Sequence, residues 1–155
     1  MSQEESPAGT LFDLLRERRT GVLVTLKRDG RPQLSNVAFT YDDKTRTIRI
    51  SATDDRAKTR NLRRDPRASF YVSTSDLGAY LVAEGEAELT PVAADPHDAT
   101  VEELIDVFRA IQGEHPNWDE YRAAMVADKR LVITLRADRA YGWGRGSGAV
   151  SGPVE

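Results

Sequence analysis

The chain contains no cysteine. Disulfides, a thiolate nucleophile and cysteine-ligated metal sites are therefore excluded. Histidine is scarce: His97 and His115 are the only two, and their separation matches no metal-ligand pattern, so no metal site is expected. Long apolar runs are missing as well. The longest aliphatic stretch, near Val22 to Leu26, is far too short to span a bilayer. The segment Met1 to Thr10 is polar and acidic with no apolar centre, so a secretory signal is not expected there and a cytoplasmic setting is. Neither sign of charge dominates: 22 Lys and Arg oppose 25 Asp and Glu, a formal net charge of −3. Such a balance gives no global attraction to nucleic acid or to an anionic membrane. Any anion site has to be local.

What is present suits one soluble domain. The 155 residues are enough for a real core, with 39% hydrophobic and 30% charged residues. Thr10 and Asp13 predict a helix start, with Leu11, Leu14 and Leu15 on one face and Gly21 as its end. The period then changes to two. Val22, Val24 and Leu26 alternate with Leu23, Thr25 and Lys27, which predicts a buried strand. Asp29-Gly30 supplies a hairpin turn. A second strand is expected from about Pro32 to Tyr41, and a third from Thr47 to Ser51. Arg56 to Arg64 reads as a short helix stopped by Asp65-Pro66. Ala68, Phe70 and Val72 open a fourth strand, and Tyr80 to Leu89 alternates at length.

Thr100 with Glu103 predicts a capping box ahead of a helix bearing Val101, Leu104, Ile105, Phe108 and Ile111. Asn117 or Asp119 starts a further short helix through Met125. Leu131, Ile133 and Leu135 make the last strand, ending near Tyr141 to Trp143. The organisation expected is a polar tail over 1–10, one domain over 11–143 and a mobile Gly/Ser-rich tail over 144–155. Six or so strands with inserted helices predict a mainly β protein built as a closed or nearly closed antiparallel barrel. A barrel that small fills its interior with side chains, so a flat ligand binds outside it, and a dimer interface is a natural place to bury one.

The strongest local signal is basic. Arg56, Lys58, Arg60, Arg63, Arg64 and Arg67 fall within twelve residues, with Asp65 the one acid among them. A helix start flanked by Arg and Lys is a phosphate site. A solvated basic helix face with dipole-compensating arginines fits the same composition. A nucleic-acid patch is disfavoured, because no aromatic interleaves the run and the chain as a whole is acidic.

Three stretches carry a resemblance: Gly21-Val22-Leu23-Val24-Thr25, Asp29-Gly30-Arg31-Pro32-Gln33-Leu34-Ser35-Asn36-Val37, and Arg56-Ala57-Lys58-Thr59-Arg60-Asn61-Leu62 running on to Ala68. Val82-Ala83-Glu84-Gly85, Gly113-Glu114-His115-Pro116 and Tyr141-Gly142-Trp143 extend it. The chain resembles the pyridoxamine-phosphate-oxidase-like split β-barrel superfamily, and within it the branch that uses the deazaflavin coenzyme F420. The resemblance implies a homodimeric split barrel with cofactor sites at the subunit interface. It implies Arg56 and Lys58 on the cofactor phosphate, helped by the Ala57 backbone, by Asn61 and by Ser51 at the end of the third strand. It places Gln33, Ser35, Asn36 and Val37 along the ring and Tyr80 on a strand facing it. Gly78 stands where relatives often carry an aromatic, which leaves the substrate wall more open. Arg60 and Arg64 are candidates for a longer anionic cofactor tail, and His115, Trp118 and Trp143 for contacts to the partner subunit's cofactor.

The function so implied is hydride transfer from reduced F420 to a conjugated, electrophilic small molecule. FMN is the alternative cofactor, since both carry a ribityl phosphate. A third reading is a cofactor carrier without turnover. No catalytic acid–base pair is identified, consistent with a cofactor that carries the chemistry itself.

Overall fold

The structure, a computed structural model, describes residues 7–144 and 148–153, with side chains over 12–144. The elements in chain order are α1 (Pro7–Glu17), β1 (Thr20–Leu26), β2 (Pro32–Ala38), β3 (Thr40–Asp42), β4 (Thr47–Thr53), α2 (Ala57–Arg64), β5 (Arg67–Ser73), β6 (Tyr80–Leu89), α3 (Ala99–Gln112), α4 (Trp118–Ala127), β7 (Arg130–Arg136), β8 (Arg139–Gly144) and β9 (Gly148–Pro153). The strands pair in the order β2-β1-β5-β6-β7-β4-β3, all antiparallel, with β8 on β6 and β9 on β8.

The long strand β6 makes the barrel split. Its first half pairs with β5 and β8, and Ala87 to Leu89 at its far end pair with β7. One strand thereby belongs to two sheets, and the sheets curl around a shared interior. Leu23, Phe39, Ile48, Phe70, Leu81 and Ile133 come from different segments of both sheets, yet all are at most 1% exposed inside one cluster. At roughly 1.5–3 kcal/mol for each fully buried large side chain, this interior is the main source of stability. The fold is the mainly β split barrel that the sequence implies.

Several local expectations are corrected. Gly21 does not end α1; it lies within β1, where an added Cβ would come within 2.6 Å of the Phe70 ring. Its lack of a side chain makes room for that ring. α1 begins at Pro7, so Thr10 is inside it. The single second strand is two: the chain leaves β2 at Phe39, buries that ring edge-to-face on Phe70 at 4.7 Å, and crosses to pair with β4. The last strand is likewise two, β7 and β8, separated at Ala137-Asp138.

The capping box at Thr100 is replaced by Asp98, whose carboxylate accepts from the Val101 amide at 2.9 Å. Thr100 instead donates to the Pro91 carbonyl at 2.8 Å, and Glu103 pairs with Arg49 of β4 at 3.0 Å. Asn117 does cap α4, accepting from Glu120 at 3.1 Å. The stretch 148–153, expected as part of a mobile tail, is paired to β8 as β9; residues 1–6, 145–147 and 154–155 lie outside the described residues.

The helical insertion α3–α4 packs a second cluster, with Val101, Leu104, Ile105, Val107, Tyr121 and Met125, onto Val132 of β7. It stands beside the barrel and forms one wall of a cleft. Among the described residues no helix is long and apolar enough to cross a membrane.

Candidate functional site

The site is built where β4 hands the chain to α2. Thr53 ends β4, and its carbonyl accepts from the fully buried Thr59 hydroxyl at 2.8 Å. That bond folds the first turn of α2 back onto the strand. Arg56 occupies the N-cap in an extended conformation, and no side chain caps the turn. The start of α2 therefore presents the positive end of a helix beside two cationic side chains.

A cleft of about 400 Å³ opens there. Asn36, Val37 and Ala38 of β2 form one edge, and Ser51 to Thr53, Arg56 and Lys58 the floor. The opposite wall is apolar, with Val107, Phe108 and Ile111 from α3 and Tyr121 and Met125 from α4. Arg130, the first residue of β7, lines it too. Among the described lining residues the charged ones are Arg56, Lys58 and Arg130, and none is a carboxylate. Burial lowers the pKa of Lys58 below the usual lysine value, and the nearby charges of Arg56 and Arg130 lower it further. Three like charges held together in a cleft with no carboxylate favour an anion in their midst.

Ser51, Arg56, Lys58, Asn36 and Val37 are thus brought together in one cleft. The other sequence candidates lie elsewhere. Ser35 sits opposite Leu23 in the β1–β2 ladder. Gln33, Ala57, Arg60, Asn61 and Arg64 line a separate groove on the other side of α2, with Lys27. Their polar groups are largely committed to each other. Asn61 Nδ2 donates to Thr25 Oγ1 at 3.0 Å and to Gln33 Oε1 at 3.1 Å, and Arg64 Nη2 donates to Asn61 Oδ1 at 3.0 Å. Arg64 also donates to the Leu26 carbonyl at 2.6 Å, and Arg60 to the Asp55 carbonyl at 2.6 Å. Asn61, 6% exposed, therefore ties α2 to β1 and β2.

Tyr80 lies away from the cleft. It stacks on Tyr71 with centroids 5.8 Å apart and stands opposite Trp143 in the β6–β8 ladder. His115 and Trp118 back the apolar wall: each packs on Phe108, at 5.3 and 5.7 Å, and each also meets Tyr121. His115 Nδ1 accepts from the Asn117 amide at 2.9 Å, and Trp118 donates to Glu114 at 3.2 Å, so both anchor the α3–α4 turn. The Tyr121 hydroxyl donates to the Leu104 carbonyl at 3.1 Å, and burial raises its pKa.

Sequence reasoning missed Arg130 and the face that α3 and α4 turn to the cleft. The helical period announced both helices, but nothing in the period says which neighbour their apolar stripe meets. No group of three His, Cys, Asp or Glu able to hold a metal occurs among the described residues.

Known proteins resemble this chain in sequence and fold. A curated relative, the F420H(2)-dependent biliverdin reductase of Mycobacterium tuberculosis, is 29% identical over 128 residues, covering 83% of this chain and 82% of that protein. A conserved hypothetical protein of M. tuberculosis superposes with a TM-score of 0.70 at 25% identity, over 95% of this chain and 92% of that one. A structure described as an F420 reductase matches with a TM-score of 0.62 at 26% identity, over 90% and 98% of the two chains. The pyridoxamine 5'-phosphate oxidase family model covers residues 9–144. With that match over most of its length, on a split barrel with a cationic cleft at the start of α2, the chain belongs to the pyridoxamine 5'-phosphate oxidase family.

Proposed function

We propose that this protein is an F420-dependent reductase that works as a homodimer and reduces a conjugated, electrophilic small molecule. The observation that carries the reading is the two-sided cleft, cationic at the α2 start and apolar along α3 and α4. Both sides suit a ligand with an anionic end and a flat aromatic body. The donor set suits a phosphate: Arg56, Lys58 and Arg130 line the cleft with no carboxylate among the described lining residues, and Lys58, its pKa lowered by burial and by the two arginines, gains from an anion beside it. Two relatives whose names specify F420 support the choice of cofactor.

Arg56 and Lys58 would hold the phosphate, the uncapped first turn of α2 adding its amides. The β2 edge at Asn36 to Ala38 would lie along the ring, offering main-chain groups. When bound, the reduced deazaflavin supplies the hydride. The chain's own part is to hold that ring in place, to keep water off one face with Phe108, Ile111 and Met125, and to orient the acceptor. The Tyr121 hydroxyl is engaged by Leu104.

Titration of the purified protein with F420, followed by the cofactor's fluorescence, tests the reading. Saturable binding, with oxidation of bound reduced F420 accelerated by a quinone, enone or tetrapyrrole, is expected. Tight FMN binding with none for F420 moves the protein to the flavin side of the family. Binding without acceleration by any acceptor in a broad panel makes it a carrier.

A further inference from the structure

Arg130 has an unusual position for a surface-type cation. It opens β7 directly after the α3–α4 insertion and pairs in register with Thr53, the last residue of β4. Its main chain is also held from the other side, with its carbonyl accepting from the Ala93 amide at 2.7 Å. The side chain is half-buried and lines the cleft. Nη1 donates to Ser51 Oγ at 3.2 Å, which orients the guanidinium across the cleft floor. Its Nε is buried and has no hydrogen-bond partner among the described residues.

A buried N–H on a charged group that donates to nothing is costly, and native structures rarely leave one without a reason. Among the described residues no carboxylate lines the cleft to answer it. The charge of Arg130 bears on Lys58, which carries the shared field of Arg56 and Arg130. Three cations, from the α2 cap, the α2 first turn and β7, therefore line one cleft, and one of them carries a buried N–H without a partner among the described residues.

We propose that Arg130 is the third phosphate ligand of the cleft, its guanidinium offered to a phosphate oxygen. This rests on reading the cleft as the cofactor's phosphate site. A guanidinium carries its donors in one fixed plane, and with Nη1 steadied on Ser51 that plane is set before the ligand arrives. Arg56 and Lys58 supply the bulk of the charge, and Arg130 supplies direction. The residue also links the two halves of the cleft, since it sits where the insertion that bears the apolar wall returns to the barrel.

The test compares ligands that differ in the phosphate. Arg130→Gln is titrated with F420 and with the same deazaflavin lacking the phosphate and tail. The expected result is a loss of roughly 10- to 100-fold for F420 and an unchanged affinity for the phosphate-free form. Arg130→Lys keeps the charge but not the fork and should recover only part of the loss. A merely structural Arg130 would lower both affinities equally, and that result overturns the proposal, as does no loss at all. If the wild-type protein binds no deazaflavin, the F420 reading fails by itself, and the same comparison is made with FMN and riboflavin. If it binds neither ring system, the wild-type Arg130 Nε–H resonance is followed by NMR during titration with inorganic phosphate. A shift that saturates, and is lost with Lys58→Ala, upholds the assignment; a resonance that does not move overturns it.

Discussion

At the scale of single residues, Lys58 and Asn61 show how neighbours in one helix come to do different work. Lys58 is held in the cleft with its charged form disfavoured by burial and by Arg56 and Arg130. Its folded pKa is lowered from 10.5, so between the folded and ordinary values the unfolded chain binds the extra proton. Stability of the ligand-free protein therefore rises with pH through that window, and the charge is a liability below it. Lys58→Met should raise the ligand-free stability at neutral pH slightly, by less than about 1 kcal/mol given its exposure, while weakening cofactor binding. Urea denaturation and cofactor titration on the same variant read the two effects; a variant that loses both stability and affinity contradicts the assignment. Arg56→Ala combined with Lys58→Ala should lose about 1.5–3 kcal/mol of binding per contact with little change in stability. Asn61 is the reverse. Asn61→Ala strands Thr25, Gln33 and Arg64, whose bonds converge on it, and should cost about 1–3 kcal/mol of folding stability. Its effect on cofactor affinity should be smaller than that of Lys58, because its amide is spent inside the protein.

At the scale of elements, α3 depends on its cap and the cleft depends on α3. The Asp98 carboxylate is held below the usual 3.8 by the amides of Ala94 and Val101 first, with Asp95 and Thr100 adding to it. A depressed acid contributes stability that is fully present above its unfolded value and is lost as pH falls through the folded one. Asp98→Ala should thus cost about 1 kcal/mol at neutral pH, and the gap between variant and wild type should close as pH falls below 3.8. Thermal denaturation at pH 7 and at successively lower pH below 3.8 follows the gap; one that does not narrow as the pH falls would show that the cap acts without its charge. Elements are also where the sequence is most and least informative. The α2 start is legible because its cations are adjacent in the chain and follow a strand. Arg130 is not, because it lies 79 residues from the serine that orients it. The break at Phe39 is hidden by unbroken alternation: one buried ring lets the chain change sheets, and no period records that. Asp98 and Thr100 can both cap a helix, and only the position of Pro91, which takes the Thr100 hydroxyl, decides between them.

At the scale of the molecule, the ladders connect the cleft to a face that lies outside it. Asn36 stands opposite Val22, Val22 opposite Tyr71, Tyr71 opposite Val82, and Val82 opposite Tyr141. Directly opposed residues share a side of the sheet, so one row runs from the cleft edge across five strands. A parallel row pairs Tyr80 with Trp143. Trp143 is 49% exposed and Tyr141 38%, and Leu34 on the same side of β2 is 63% exposed. Large aromatic side chains left open in a row mark an interaction surface, and Trp and Tyr are the residues that most often anchor one. Were the proposed dimer to form on this face, Asn36 would bring the second copy to the edge of the first copy's cleft. Trp143→Asp should place a charge in that contact, shift the protein to monomer in sedimentation velocity and weaken cofactor binding, although Arg56 and Lys58 are untouched. Lys58→Ala should do the opposite, losing cofactor and keeping the dimer. If Trp143→Asp stays dimeric, the interface lies on another face; if it becomes a monomer that binds cofactor as tightly as before, the cleft is complete within one chain and the partner contributes nothing to it.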